Sequence, residues 1–146
     1  MSYPWIVEGT VELCPPVPLA RLRELLDQST FPGGFRIAPP GLDGSGLTEL
    51  ARRARWVLVP DADADAGTDD GQDRPQAIRF LRVNDQGIEG HEVDERLKGL
   101  SACMGTAHEF RGRLLYWGDM GGEDGEIVPP RDGRAPFWRQ IGGRYW

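Results

Sequence analysis

Apolar residues recur at helical spacing in residues 91–105, HEVDERLKGLSACMG, and this segment constrains the fold more than any other. Val93, Leu97, Leu100 and Met104 follow one another at steps of four, three and four residues, which places them on one face of an α-helix. A helix with a single apolar face has to bury that face against a second layer of structure. Because strand-like segments flank this helix on both sides, we expect a mixed α and β fold.

Four segments have the alternation or the short continuous apolar run that is typical of strands. The first places Trp5, Val7, Val11 and Leu13 on one face, and Gly9 within it indicates a bulge or a close neighbour. The predicted strands are 3–13, which the PPVP segment ends, 55–60, 77–83, which the turn residues 84–87 follow, and 109–118. Helical spacing also predicts a helix over 18–28 and a short one over 47–54 that Ser45 caps.

The order of these elements predicts an α+β fold with an antiparallel sheet and the two main helices on one face, in the ferredoxin-like (split βαβ) arrangement. Asp132-Gly133 is a turn signal between two short apolar segments, which predicts a C-terminal hairpin. The alternative is a less regular α+β sheet that this hairpin extends at one edge. The length of 146 residues fits a single domain over 1–146.

The formal net charge of −6 bears on the class of partner. Non-specific binding to nucleic acid or to anionic membranes needs a cationic surface, so we expect neither. The N-terminus has no basic segment followed by a long apolar core, and no apolar run approaches the roughly 20 residues of a membrane span. With two cysteines outside any CxxC pair, the sequence predicts a soluble, cytoplasmic protein.

An aspartate-rich segment follows the second predicted strand and predicts a flexible, solvated loop over 61–75. Its D-x-D-x-D spacing resembles the start of a calcium-binding loop, which needs glycine at the sixth position and glutamate at the twelfth. Ala66 and Gln72 stand at those positions, so two defining features of such a loop are missing. The calcium-ligand candidates are Asp61, Asp63 and Asp65.

A second acidic segment, YWGDMGGEDGEI over 116–127, combines carboxylates, glycines and two aromatic residues. It has no neighbouring His or Cys for a zinc site, and no GxxxxGK[ST] phosphate loop is present. Two interpretations stay open: a glycine-rich loop that joins two strands, or a contact surface for a basic partner with aromatic anchors. The predicted partner-binding residues are Tyr116, Trp117, Asp119, Glu123, Asp124 and Glu126.

No catalytic constellation is visible in the sequence. His91 and His108 lie at the two ends of a helix that spans about 25 Å, so they do not converge easily on one site. Cys14 and Cys103 are expected to pack as small apolar residues. No GxSxG, HExxH or dinucleotide-binding glycine pattern occurs, so we predict no catalytic residues and no cofactor.

Two segments carry a resemblance: GTVELCPP over 9–16, and the glycine-rich and acidic stretch G-x-LLYWGDMGGEDGEIVPPRDGRA over 112–135. They are similar to parts of a family of small proteins with a domain of unknown function from actinobacteria and their phages. Such sequences begin with a G-E-I-x-I-x-P-P strand, where this chain has Thr10 and Val11 in place of the Glu and the first Ile. The resemblance implies a mobile or accessory gene and transfers no catalytic residue.

We therefore expect a non-enzymatic binding or accessory protein that engages a protein partner with a basic surface through its acidic loops. Phage–host or toxin–immunity conflict is one setting for such a role. The alternative is a small-molecule-binding protein or enzyme with a site on the sheet face near Tyr116–Ile127, in a pocket lined by Tyr116, Trp117 and Trp138. A third interpretation, self-association, requires an exposed edge strand or apolar patch.

Overall fold

The structure is a computed structural model that describes residues 4–27, 34–39, 41–42, 44–61, 77–118, 124–131 and 134–141. Within these ranges the protein is a mixed α+β fold with three helices and one open eight-stranded sheet. The helices are α1 (Leu19–Asp27), α2 (Gly44–Ala54) and α3 (Gly90–Met104). The strands are β1 (Trp5–Pro18), β2 (Arg36–Ile37), β3 (Trp56–Pro60), β4 (Ala77–Ile88), β5 (Glu109–Arg111), β6 (Leu114–Gly118), β7 (Asp124–Val128) and β8 (Phe137–Gln140).

The strands form a sheet in the order β2-β3-β4-β1-β6-β7-β8, with β5 also paired to β1. Only β2 and β3 are parallel; every other described pair is antiparallel. The long strand β1 lies at the centre, with β4 on one side and β5 and β6 on the other. β7 and β8 pair antiparallel, as predicted for the C-terminal segment, and together with β6 they extend the sheet beyond β1.

The main apolar core lies between one face of this sheet and the helices α1 and α3. The predicted stripe on α3 is confirmed, because Val93, Leu97, Leu100 and Met104 are all buried in one cluster with Leu22 of α1. The sheet contributes alternate residues to the same cluster, among them Val7, Val11, Leu13, Leu58, Ile78, Leu81, Leu114 and Ile127. The alternation of apolar residues in the first strand therefore correctly predicted which of its side chains face the core.

The helix α2 packs on the opposite face of the sheet. Its Leu50 and Ala51 form a separate small cluster with Val57 of β3. Val57 lies between Trp56 and Leu58, which belong to the main core, and successive strand residues point to opposite faces. The Arg82 side chain, opposite Val57 in the sheet, donates a hydrogen bond to Thr48 Oγ1 of α2 at 3.1 Å. Helices therefore cover one face of the sheet and part of the other. None of the described helices is long and apolar enough to span a bilayer.

Two predicted strand ends are wrong. The PPVP segment does not end β1, since Val17 pairs with Ile78 and Pro18 with Ala77. The register shifts between Glu12 and Val17, so the prolines between them fall where the ladder to β4 is interrupted and no donor is required. The predicted turn at 84–87 lies instead inside β4, where the Asn84 N–H donates to the Arg55 carbonyl at 2.8 Å.

The predicted strand over 109–118 is divided into β5 and β6, which both pair with β1. Gly112 lies at the break with φ of 106°, a conformation that only glycine adopts without strain. The prediction of a close neighbour for Gly9 is confirmed, because a Cβ there would lie 3.2 Å from Leu114 Cα on β6. Both glycines serve the close contact between β1 and the segment 109–118.

Candidate binding face

Strand alternation separates the aromatic and apolar residues of β6 onto the two faces of the sheet. Leu114 and Tyr116 point into the core. Leu115 and Trp117 point to the opposite face, which is the face on which α2 packs against β3. From β1 to β8 no described helix covers that face, and we call it the open face. By register, the open face consists of Ile6, Glu8 and Thr10 of β1, Arg113 directly before β6, Leu115 and Trp117 of β6, Asp124, Glu126 and Val128 of β7, and Phe137 and Arg139 of β8.

The open face carries a patch of exposed apolar side chains. Leu115, Phe137 and Ile141 are 42%, 61% and 55% exposed, and they are three of the four large exposed hydrophobic residues in the described ranges. Ile141 follows directly after β8, and its N–H donates to the Asp124 carbonyl, so it continues the alternation of Phe137 and Arg139. Trp117, partly buried, lies opposite Asp124 in the next strand. We call Leu115, Trp117, Phe137 and Ile141 the apolar patch.

A buried carboxylate lies in the middle of this patch. Glu126 is 5% exposed, forms a salt bridge with Arg113 Nε at 2.7 Å and accepts a hydrogen bond from Arg139 Nε at 2.7 Å. A second Arg139 nitrogen also contacts the same carboxylate. Charge-assisted bonds of this kind compensate the cost of burying the carboxylate. Glu126 was a predicted partner-binding residue, but here its carboxylate is engaged within the sheet.

Tyr116, a second predicted contact residue, belongs to the core. It is 7% exposed and lies against Trp5 and Trp138, with ring centroids 5.3 and 4.8 Å away. The Trp138 indole N–H donates to Asp94 Oδ1 of α3 at 2.7 Å, so this aromatic cluster attaches β8 to the helix layer. Trp117 points to the other face, and therefore Tyr116, Trp117 and Trp138 do not line a common pocket.

The remaining predicted site residues divide between described and undescribed segments. Asp124 is exposed at the start of β7. Asp61 lies 3.5 Å from Arg79, which also binds Glu12 at 3.1 Å. Asp119, Glu123, Asp63 and Asp65 lie outside the described residues. In the part of the chain that the structure describes, no group of three His, Cys, Asp or Glu side chains could hold a metal ion.

The two acidic segments of the sequence connect strands at opposite ends of the sheet. The aspartate-rich segment joins the end of β3 to the start of β4, beside Pro18, whereas the segment after Gly118 joins β6 to β7, beside Trp5. Trp5 and Pro18 are the two ends of β1, separated by up to roughly 40 Å at about 3.3 Å per residue. The two segments are therefore attached to distant points of the sheet, and these attachment points do not bring them together into one acidic surface.

The charge is also unevenly distributed along the chain. The described ranges contain 14 acidic and 15 basic residues, a net charge of +1, and the other segments contain nine acidic and two basic residues, a net charge of −7. On the open face itself, Arg113 and Arg139 both pair with the carboxylate of Glu126. The open face is therefore of mixed charge, with its apolar patch as the distinguishing feature.

A shallow depression adjoins the patch and was not predicted. It has a volume of about 320 Å³ and is lined by Glu8, Thr10, Arg82, Asn84 and Leu115. A Gln86 amide bridges Glu8 and Asn84 along its edge, at 3.3 and 2.8 Å. The alternation of β1 predicts that Glu8 and Thr10 share a face, but the pairing of β1 with β4 and β6 decides which residues join them.

A second polar cluster is buried on the core side of the sheet. The Trp56 indole N–H donates to Asp85 Oδ2 at 2.9 Å, and the Arg96 guanidinium lies 5.2 Å from the Trp56 ring centroid. Burial lowers the pKa of Arg96, and the carboxylates of Asp85 and Glu92 oppose this shift. The cluster connects β3, β4 and α3 inside the core, so its role is in the packing of these elements.

Comparison with protein-family models, with curated proteins and with solved structures finds no match to this chain. The family resemblance of the segments 9–16 and 112–135 therefore stays a prediction.

Proposed function

We propose that this protein is a non-enzymatic binding protein that docks a protein partner on the open face of its sheet. One observation carries the proposal: three of the four large exposed hydrophobic residues of the described chain, Leu115, Phe137 and Ile141, share that face. Exposed apolar side chains that cluster on one surface with a polar rim are typical of protein interaction sites.

The shape of the surface favours a macromolecule over a small molecule. The residues of the apolar patch lie on β6 and at β8, on either side of β7, and the adjoining depression is shallow and lined mainly by polar residues. Small-molecule sites are usually concave and mostly apolar, and they bury most of the ligand. A partner with its own apolar side chains would gain more from this surface than a small ligand would.

The acidic end of the patch supports a partner with a basic rim. Asp124 is exposed beside Trp117, and Asp119 and Glu123 lie between these two residues in the sequence. Arg113 and Arg139, the cations nearest the centre, already pair with Glu126. We expect basic residues of the partner at the Trp117 end of the patch, where they would steer association.

Two finer assignments belong to the same proposal. The strand order β3-β4-β1-β6, with α1 and α3 packed in one core cluster, supports a ferredoxin-like arrangement to which β7 and β8 are added. A cytoplasmic accessory role, in the phage–host or toxin–immunity setting that the resemblance suggests, is the biological context we propose.

Single arginine substitutions on the patch test the proposal. The protein captures its partner from a lysate of the source organism, and the partner is then purified and titrated by calorimetry. We expect Leu115→Arg and Phe137→Arg each to weaken binding by tenfold or more, about 1.4 kcal/mol, because each places a charge at the buried centre of the interface. Leu42→Arg is the matched control, since Leu42 is 37% exposed outside the patch.

Charge steering is tested with Asp124→Asn, which should lower the association rate and its salt dependence while the dissociation rate changes little. Equal affinity of the wild type, Leu115→Arg and Phe137→Arg, or equal weakening by Leu42→Arg, would show that the partner binds elsewhere.

A further inference from the structure

The strand β8 ends the described sheet and leaves a row of backbone groups on its outer edge. The Ile141 N–H bonds to the Asp124 carbonyl of β7, so the backbone groups of Arg139 and Phe137 also point toward β7. By alternation, the N–H and C=O groups of Trp138 and Gln140 point away from the sheet. Within the described chain, β8 pairs with β7 alone.

This edge has some of the features that prevent one strand from pairing with another and lacks others. Natural edges are blunted by short strands, charged side chains, especially lysine, proline, bulges or inward-pointing charges; β8 has four residues and includes Arg139. β8 has no lysine and its pairing with β7 shows no register shift. The charge of Arg139 is held by Glu126 on the open face, and Pro136 directly precedes the strand.

The edge is complementary to itself in one register. If two copies pair antiparallel about a two-fold axis at Arg139, Trp138 of each copy faces Gln140 of the other, and all of their outward N–H and C=O groups are paired. On the open face, Phe137 of each copy then lies opposite Ile141 of the other. These residues are 61% and 55% exposed in one copy. Cross-strand pairs of aromatic and branched residues stabilise sheets.

The neighbouring register is less favourable. An axis at Trp138 would place Gln140 opposite Pro136, which has no N–H to donate, and would set Phe137 against Arg139. An axis between residues would join the open face of one copy to the core face of the other. The cost of the favoured register is that two Arg139 side chains face each other, and each already has Glu126 as its partner.

We propose that two copies of this chain associate through their β8 edges, so that two sheets become one continuous sheet with a joined open face. The association uses Phe137 and Ile141 of the apolar patch, whereas Leu115 on β6 lies away from the β8 edge, so Leu115→Arg is the variant that separates it from the partner binding proposed above.

Sedimentation equilibrium over about 1–500 µM tests the association. We expect the weight-average mass of the wild type to rise from 16.2 kDa toward twice that value. Gln140→Pro should keep the protein monomeric, since it removes an outward N–H without removing a bond to β7. Phe137→Lys is a second variant that places a charge at the edge, and Leu42→Lys is its exposed control. A wild type that stays monomeric throughout, or that dimerises equally well as Gln140→Pro and Phe137→Lys, overturns the proposal.

Amide hydrogen exchange provides a test of register that does not need a mutant. In the dimer the Trp138 and Gln140 amides should exchange about tenfold or more slowly at high protein concentration than at low concentration. The Arg139 and Ile141 amides, which face β7, should be protected at both concentrations. Exchange of Trp138 and Gln140 that is independent of concentration contradicts the β8 contact. Loss of partner binding in Leu115→Arg with the dimer intact would separate the two proposals.

Discussion

At the scale of single residues, Arg55 has a strained backbone conformation that the fold imposes. It follows α2 directly and adopts a left-handed backbone conformation with φ of 75°, which is strained for residues with a side chain. The conformation is held because the Arg55 N–H donates to Ala51 and its carbonyl accepts from Asn84 of β4, both at 2.8 Å. The positive charge of Arg55 also contributes to the lowered pKa of the buried Arg96.

We predict that Arg55→Gly raises the free energy of unfolding by about 0.5–1 kcal/mol, because glycine adopts this conformation without strain and removes a like charge near Arg96. Arg53→Gly, at an exposed helical position, should lower it by about 0.5–1 kcal/mol. Urea unfolding at equilibrium measures both. If both variants raise or both lower the free energy of unfolding, the left-handed backbone conformation of Arg55 does not destabilise the protein.

Residue types in the sequence predicted some local roles and missed others. Gly9 was recognised as a point of close approach because a glycine inside an alternating strand marks a bulge or a neighbouring backbone that leaves no room for a side chain. Glu126 and Tyr116 were expected at a surface, since they adjoin a glycine-rich acidic segment. Their burial depends on Arg139 and Trp138, which are more than ten residues away in the chain and reach them only through the pairing of β7 with β8.

At the scale of elements, the attachment of β8 to β7 depends on a glycine. A Cβ on Gly125 would lie 2.2 Å from the Arg139 carbonyl oxygen and 2.8 Å from the Tyr116 hydroxyl. Both contacts are too short for any real side chain, and the first is with backbone, which cannot rotate away. Among the glycines of the acidic segment, Gly125 therefore has a specific packing role.

We predict that Gly125→Ala lowers the free energy of unfolding by about 2–3 kcal/mol, because β8 has to move away from β7 to accept a methyl group. The intrinsic fluorescence should change as Trp138 separates from Trp5 and Tyr116. Gly44→Ala is the control, since apart from the adjacent backbone of its own helix nothing lies within 4 Å of the Cβ position there. A Gly125→Ala protein as stable as Gly44→Ala would contradict the close packing of the two strands.

The sequence predicted the elements with a strong period and missed those that depend on tertiary contacts. The helix α3 was predictable because four apolar residues repeat at its period. The residues 84–87 have turn chemistry, yet β4 continues through them because the Arg55 carbonyl accepts from the Asn84 N–H and the Trp56 indole N–H donates to the Asp85 carboxylate. Local propensity is a weak preference that such contacts override.

At the scale of the whole molecule, two apolar clusters of unequal size lie on the two faces of the sheet. The large one joins α1, α3 and the central strands, and the small one joins α2 to β3 through Leu50, Ala51, Val57 and Ala38. A large cluster surrounds each member with more partners and adjusts less when one is truncated. The stability of the molecule should therefore depend more on the α3 side.

We predict that Leu97→Ala, a fully buried position in the large cluster, lowers the free energy of unfolding by about 4 kcal/mol. Leu50→Ala, 8% exposed in the small cluster, should lower it by about 2 kcal/mol, because the site is nearer to solvent and relaxes more. Chemical denaturation measures the two losses, analysed with one common dependence of the free energy of unfolding on denaturant concentration. Equal losses, or a larger loss at Leu50, would show that α2 is as central to the fold as α3.

The sequence by itself determined the helix α3 and its buried face, the side chains of β1 that point to the core, and where the acidic charge lies along the chain. These properties are local, because the helical period, the strand alternation and the charge of a segment are set by neighbours in the chain. Tertiary structure alone decided that the two acidic segments attach at opposite ends of the sheet, that Tyr116 and Glu126 are buried, and that Leu115, Phe137 and Ile141 share a face. Those outcomes depend on strand order and register, which join residues far apart in sequence, and no local pattern encodes such pairing.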